Sequence, residues 1–573
     1  MDLKTRVEIA AGRRPADLVL KNGRIVNVLS CEIHEGDVAI AGDRIVGIGS
    51  YTGEETVDLH GQYICPGFID GHVHVESSLL NVAEFAKVVA AHGTAAVVTD
   101  PHEITNVMGT EGIRFMLSSS KYCPIYVYVM ASSSVPASRF ESSGADLTAI
   151  DILPLLSDRW VIGLAEMMDF TGVVAGDQEC LDKLAIAGDR PIDGHAPGLG
   201  GPELCAYVAA GIGSDHECTT IEEAREKLRV GMHIMIREGS QARDMDALLP
   251  LVQPDTLDRF MLITDDRDVE ELQALGHMDY LIRRAIAGGL NPVHAIKLAT
   301  LNPARYFGLH HLGAIAPGKL ACLAILDDLE TCHVTRVYQA GHVAAEDGVA
   351  IDRDADKRRR HILRSSVNVH WLEPDQFTIS APQDDECNVH VIEVMEGRID
   401  TGRSVERVRV AGGQLHADPK RDLAKVAVVE RHQASGNIGL GFARGFGLSA
   451  GAIASSVCHD SHNLLIAGTN DHDMFTAAVH LVKIRGGFCV VRDGRVLADV
   501  SLPIAGLMSE DDAPTLTAQL RKLHEAAHGL DVKLRRPFMA LSFLSLSVIG
   551  ALKITDQGLV DVEKFELIDL ITP

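Results

Sequence analysis

The sequence predicts an α/β protein with three parts: a (β/α)8 TIM-like barrel, a composite small β-sandwich domain built from both sides of it, and an additional C-terminal α+β domain. Three observations carry this expectation. Between residues 64 and 307, short apolar runs ending in polar residues alternate with helix-like segments eight times. Strand–turn–strand patterns flank that stretch on both sides. After residue 355 the pattern changes to Gly-rich segments with mixed strand and helix signals.

The elements follow in chain order. Asp17–Val28 and Asp37–Ile48 alternate apolar and polar residues around Asn22-Gly23 and Gly42-Asp43, which are hairpin signals. Gly313–Leu326 and Val334–Val343 repeat the pattern far downstream, so residues 1–63 and 308–355 are assigned to one composite β domain. The barrel is assigned to residues 64–307. Its strands are expected at Ile64–Asp70, Ala95–Asp100, Ile125–Met130, Val161–Glu166, Pro191–His195, Gly211–His216, His233–Glu238 and Phe260–Asp265. Helices are expected at Asn81–Ala91, Pro202–Ala210, Ile221–Arg229 and Val269–Ala287, among others. Lys357–Arg360 reads as a solvated basic linker into the third domain, residues 356–573. That domain carries Gly436–Ser456, Val490–Leu497 and a helix at Ala513–Gly529. The Gly436–Gly451 stretch lacks the G-K-[ST] of a phosphate loop and reads as tight turns with a buried helix.

Composition narrows the function. The chain has 573 residues, 46% of them hydrophobic, so cores of domain size are available. With 53 Lys+Arg against 79 Asp+Glu the formal net charge is −26, which argues against a protein that grips a phosphate backbone by counterion release and leaves a single small nucleobase open as substrate. The 11 cysteines form no C-x-x-C pair and read as reduced thiols. The first residues contain no apolar signal-like run, and the longest apolar stretch, near Ala540–Ile554, is short and broken by serines. The expectation is a soluble cytoplasmic protein with no membrane or nucleic-acid partner.

Barrel chemistry sits at the C-terminal ends of the strands, and polar residues cluster there. His72 and His74, two apart on the first strand, present both imidazoles to one side. Glu166 ends the fourth strand, where a carboxylate can bridge two cations. His195 and His216 end the fifth and sixth. Asp265 and Asp266 end the eighth; on a regular strand only one faces the axis, and Asp265 is the expected one. A histidine near a strand end is more often a hydrogen-bonded structural residue, but the ordered set is far less probable by chance than its parts. It offers nitrogen and oxygen ligands without thiolate, which favours Mn²⁺, Fe²⁺ or Zn²⁺ in a working centre over a structural zinc site. Two such cations sharing a water lower its pKa toward neutrality, and an aspartate beside them takes and returns the proton.

These motifs resemble the amidohydrolase superfamily and, within it, the bacterial adenine deaminase family. The resemblance rests on GHVHVESS (Gly71–Ser78), VVTDPHEITNVMG (Val97–Gly109), VPASRFESSGA (Val135–Ala145), GLAEMMD (Gly163–Asp169), DGHAPGL (Asp193–Leu199), SDHECT (Ser214–Thr219), REGS (Arg237–Ser240) and TDDR (Thr264–Arg267). In the last third it rests on GNIGLGFARGFGL (Gly436–Leu448) and HDSHN (His459–Asn463). It implies hydrolysis of adenine to hypoxanthine and ammonia at a dinuclear centre, commonly manganese or iron. By position, it implies that His72 and His74 hold one metal, Glu166 bridges, His195 and His216 hold the other, and Asp265 ligates and shuttles protons. Glutamate in place of a carboxylated lysine at the fourth strand separates the chain from dihydroorotase- and hydantoinase-like relatives.

Attack at C6 places charge on the ring, so N1 needs a proton. Glu76, Glu103 and Glu238 are the candidate acids, and His102 and Ser77 the candidate readers of the base edge. Each has a competing reading as support for the metal ligands. The expected partners are adenine and water, in a homo-oligomer, a dimer by analogy. The alternatives are a cyclic amide hydrolase or N-acetyl deacetylase of the same architecture, or a barrel retained as a scaffold. The cluster His459–Asn463 with Asp471–Asp473 reads as a polar turn, a further metal site or a lid.

Overall fold

A computed structural model describes residues 1–358, 363–381 and 386–572. Eight short parallel strands form the barrel: Phe68–Val73, Thr94–Thr99, Tyr126–Ala131, Val161–Met167, Ile192–Gly194, Ser214–Asp215, His233–Arg237 and Phe260–Ile263. The first five pair with one another in order, and so do the last three. Two joints close the ring. The Gly213 N–H donates to the Ile192 carbonyl at 3.0 Å. The Asp265 N–H donates to the His72 carbonyl at 3.1 Å, and the Asp265 carbonyl accepts from the His74 N–H at 3.2 Å. Both faces of these strands are covered, so they are apolar almost throughout rather than alternating. One cluster joins Ile69, Val98, Met130, Ala165, Met235 and Met261 from six different strands, which makes the ring a packed core and leaves only its polar rim for chemistry.

The expected first strand is two strands. Tyr63–Pro66 belongs to the outer sheet and Phe68–Val73 to the barrel. Gly67 joins them where a Cβ would come within 2.5 Å of Ala95, so only glycine lets the chain pass. The expected helix Val269–Ala287 is also two, Val269–Leu275 and Met278–Ala287, divided at Gly276 with φ +103°. Helix Val82–Ala91 begins where expected because the Asn81 side chain accepts from the Ala83 and Glu84 N–H groups.

The flanking segments meet in one nine-stranded sheet. Leu323–Asp328 pairs antiparallel with Tyr63–Pro66, so strands from residues 16–66 and 323–350 share a single ladder. The hairpin expected at Asn22-Gly23 is absent. Ala16–Asn27 is one continuous strand with a register shift there, and the chain turns instead between Asn27 and Glu32. Asn22, at φ +56°, absorbs the irregularity; its N–H donates to Asp37 and its amide to Asp58. The Gly42-Asp43 turn lies where expected. Gly313–Leu326 is irregular until Leu323.

The last third is built on an eleven-stranded sheet. In its strand Leu423–Val429, Val426 and Val428 face one side, Ala427 and Val429 the other, and both sides are buried. Helix Asp471–Lys483 covers the second face through Met474, Ala477 and Leu481. Helix Ala513–His528 covers the first through Leu516, Leu520 and Leu523, and the same cluster takes in Val82, Phe85 and Val89 of the barrel helix. The barrel and the last third therefore share one core. The buried helix expected within Gly436–Gly451 is a strand, Ile438–Arg444, followed by glycine turns; so many glycines cost too much in a helix interior. Ala540–Ile554 contributes the end of a short helix, Pro537–Ser542, and the start of a strand, Leu552–Thr555. In the basic run, Lys357 and Arg358 pair with Asp354 and Asp352, whereas Arg359 and Arg360 lie outside the described residues. Among the described residues no helix is long and apolar enough to cross a membrane.

Candidate metal centre and active site

The six side chains expected to converge do so at the strand ends. The His72 and His74 Nε2 atoms lie 3.2 Å apart, and the Asp265 Oδ1 is 3.4 Å from the first and 3.1 Å from the second. The two oxygens of Glu166 face different histidines. Oε1 is 3.5 Å from His74 and 3.9 Å from His72, while Oε2 is 2.7 Å from His195 Nδ1 and 3.3 Å from His216 Nε2. All six are buried.

The donor set fits divalent cations. His74 Nδ1 lies 2.9 Å from the Asp100 carbonyl, which fixes the proton on Nδ1 and leaves the Nε2 lone pair aimed at the cluster. His195 Nε2 is buried with no hydrogen-bond partner among the described residues. Ligand atoms of His72, His216 and Asp265 lie within 4.8 Å of one another, as do those of Glu166, His195 and His216. So many buried carboxylates packed on imidazoles form an arrangement whose charge cations balance. Burial pushes the Glu166 carboxyl up, but His216, His102 and His195 outweigh it and hold the carboxyl well below its ordinary range. The same holds for Asp265, where burial is outweighed by His72, His74 and Arg237.

The eighth strand differs from expectation in one respect. Asp265 and Asp266 both line the cavity. Asp265 has φ +56°, so the alternation of a regular strand is broken just where the barrel closes. Asp265 lies on the imidazoles, whereas Asp266 accepts a hydrogen bond from the Ser77 hydroxyl. Burial and the neighbouring Asp265 raise the Asp266 carboxyl.

The remaining candidates divide. Glu103 lines the cavity, and His459, His102 and His462 overcome burial to hold it well below its ordinary range. His102 is inside the donor cluster itself: its Nδ1 is 3.2 Å from Glu166 Oε1 and 3.2 Å from Asp100 Oδ2. Ser77 faces an adjoining apolar cavity alongside Asp266. Glu76 is not brought to the cavity. Its Oε1 accepts from the Ile104 N–H at the start of helix His102–Met108, and burial raises it to about 7. Glu238 is also turned away, toward Arg284 at 3.5 Å, because the residue after the seventh strand points outside the ring.

Sequence reasoning missed several residues that complete the site. Asp100 ends the second strand beside His102. Glu217 follows His216 and sits 3.4 Å from its Nε2. Arg237, at the end of the seventh strand, grips Glu217 with both nitrogens and lies 3.3 Å from Asp265 and 3.2 Å from Asp244. All three lie in motifs whose strand-end positions mark them, VVTDPHE, SDHECT and REGS. The HDSHN cluster is part of the site. His459 Nδ1 is 2.8 Å from Glu103, His462 Nε2 also bonds Glu103, and Asp460 lines the cavity. Ile399, Phe543, Leu546 and Ile549 supply an apolar wall of the cavity from the same third of the chain.

Two family models match: "Amidohydrolase family" over residues 63–346 and "Adenine deaminase C-terminal domain" over residues 398–566. A protein named adenine deaminase from Dehalococcoides mccartyi is 45% identical over 99% of both chains. One of the same name from Brucella anthropi is 46% identical over 99% of this chain and 100% of its own. Another, adenine deaminase 2 of Carboxydothermus hydrogenoformans, is 44% identical over 99% of each. With the ligand geometry and matches that span nearly the whole length, this chain belongs to the adenine deaminase family of the amidohydrolases.

Proposed function

We propose that this chain hydrolyses the exocyclic amine of adenine, releasing hypoxanthine and ammonia, with two divalent cations, manganese in the first instance, that His72, His74, Glu166, His195, His216 and Asp265 would hold. The observation that carries the dinuclear reading is the division of Glu166: one oxygen faces His72 and His74, the other His195 and His216. The full-length kinship to adenine deaminases carries the substrate.

When bound, the cations supply a water acidic enough to attack near neutral pH. The chain's own groups do the rest. Asp265, held ionised and 3.1 Å from His74, accepts the proton of that water and returns it to the departing amine. Arg237 fixes Asp265 and Glu217 in place, so neither reorients as charge moves. Glu103 faces the cavity as an ionised acceptor that holds the imidazoles of His459 and His102, and those protonated imidazoles are the proton source for ring N1. The apolar wall of Ile399, Phe543, Leu546 and Ile549 excludes bulk water and matches the flat faces of a purine.

The test is a purine and cyclic-amide panel assayed for ammonia with manganese-loaded protein. Adenine should be the best substrate, with hypoxanthine as product. A cyclic amide turned over faster than adenine would overturn the reading. Protein purified without chelator and free of any transition metal would overturn the dinuclear site.

A further inference from the structure

We propose that Asp460 accepts a hydrogen bond from the imidazole-ring N–H of the purine and so restricts the site to the free base; this rests on the adenine reading above. Asp460 lines the cavity and is 3% exposed. Among the described residues its Oδ2 has no hydrogen-bond partner, and its Oδ1 lies 3.7 Å from His459 Nδ1 and 3.9 Å from His102 Nε2, beyond hydrogen-bond reach. A buried carboxylate oxygen with no donor costs stability unless something meets it, and Asp460 stands in the cavity wall. The missing partner is therefore a donor on the ligand.

Position selects which donor. The His102 ring lies between Asp460 and Glu166: Nδ1 of that ring is 3.2 Å from Glu166 and Nε2 is 3.9 Å from Asp460. With the amine-bearing edge of the base toward Glu166 and Asp265, a carboxylate one ring away would meet the five-membered half of a purine. Free adenine has one ring N–H there, on N9 or N7. A nucleoside carries its sugar on N9 and has no such donor.

The segment is built to hold this carboxylate still. The His459 N–H donates to the Ser542 carbonyl at 3.0 Å, and its ring stacks on Phe543 at 4.6 Å with an interplanar angle of 8°. The buried Arg431 guanidinium donates to the His462 carbonyl, and to that of Ala505 at 3.0 Å. The Asn463 amide donates to Ser142 of the barrel at 2.8 Å. Asp460 also lies in the stretch matched by the adenine deaminase C-terminal model, outside the part matched by amidohydrolases at large. A reader of the purine ring belongs in that stretch.

The test compares adenine with its thiazolopyrimidine isostere, in which sulfur replaces the ring N–H and the exocyclic amine is kept. In the manganese-loaded parent protein kcat/KM should favour adenine by about 30-fold or more, the scale of a hydrogen bond to a charged group. Asp460→Ala should bring that preference to within about threefold, mostly through KM. Asp460→Asn, which keeps the shape and an acceptor, should fall between. Metal content, measured in parallel, should not change. An undiminished preference in Asp460→Ala overturns the proposal and places the carboxylate on the amine or in the scaffold. So does loss of metal in both variants, which would make Asp460 a ligand. A parent protein that does not deaminate adenine fails earlier and overturns the functional reading itself.

Discussion

Single carboxylates decide most of what happens at this site, because each stands in a different electrostatic setting. Asp265 touches two imidazoles and a guanidinium, whereas Asp266 accepts from the Ser77 hydroxyl and is raised by burial and by Asp265. Asp265→Asn should therefore lower kcat by about 10²–10⁴-fold, the usual weight of a proton-transfer group, and Asp266→Asn much less. Steady-state kinetics on metal-loaded variants distinguishes them, and the reverse order would refute the assignment. If Glu166 holds metal as proposed, Glu166→Gln should lower metal content and activity together, since one carboxylate oxygen is lost; elemental analysis checks this. Glu141 gives a test that avoids the metal. Burial, then the charge of Asp460, raises its carboxyl from 4.5 to about 8. A carboxyl whose folded pKa lies above its unfolded value takes up a proton on folding, so stability falls as pH rises through that window and the penalty is complete above its top. Glu141→Gln should raise the melting midpoint by about 2–4 °C at pH 9 and leave it nearly unchanged at pH 4, in calorimetry at fixed metal.

At the scale of elements, caps and junction residues position the site. Asn81 starts helix Val82–Ala91 and also reaches the Ser509 carbonyl at 3.2 Å, tying that helix to the last third of the chain. Asn81→Ala should cost about 1–2 kcal/mol in denaturant unfolding, with kcat unchanged. Elements were legible in the sequence where a local signal sufficed. Thr220 and Asp512 cap their helices where the pattern changes, and Asp493-Gly494 turns the hairpin between Gly487–Arg492 and Arg495–Ser501. They were not legible where neighbours overrode the local signal. Asn22-Gly23 has the composition of a turn, yet pairing with Glu32–Ala41 on one side and Gly53–Asp58 on the other keeps the strand running through it.

At the scale of the whole molecule, the barrel and the last third form one structure. Val73, Leu80 and Phe85 of the barrel share a core with Val428, Phe488 and Leu516. Arg536 crosses between them to Asp268 and Glu271. A chain cut after residue 355 should therefore expose apolar surface, bind a hydrophobic dye, and have no deaminase activity even with added manganese. A truncated chain that stayed monomeric and active would show the two parts to be independent.

The sequence by itself determined the barrel and the polar strand ends that converge in it. A strand covered on both faces must be apolar until the chain leaves the sheet, so His72, Glu166, His195, His216 and Asp265 stand out where apolar runs stop. Tertiary structure alone decided that Asp265 and Asp266 both reach the cavity, that Glu238 and Glu76 do not, and that His459, Asp460 and His462 close over a site some 360 residues earlier in the chain. Those outcomes depend on a left-handed residue at the barrel seam and on packing between distant segments, and neither leaves a periodic trace in the order of residues.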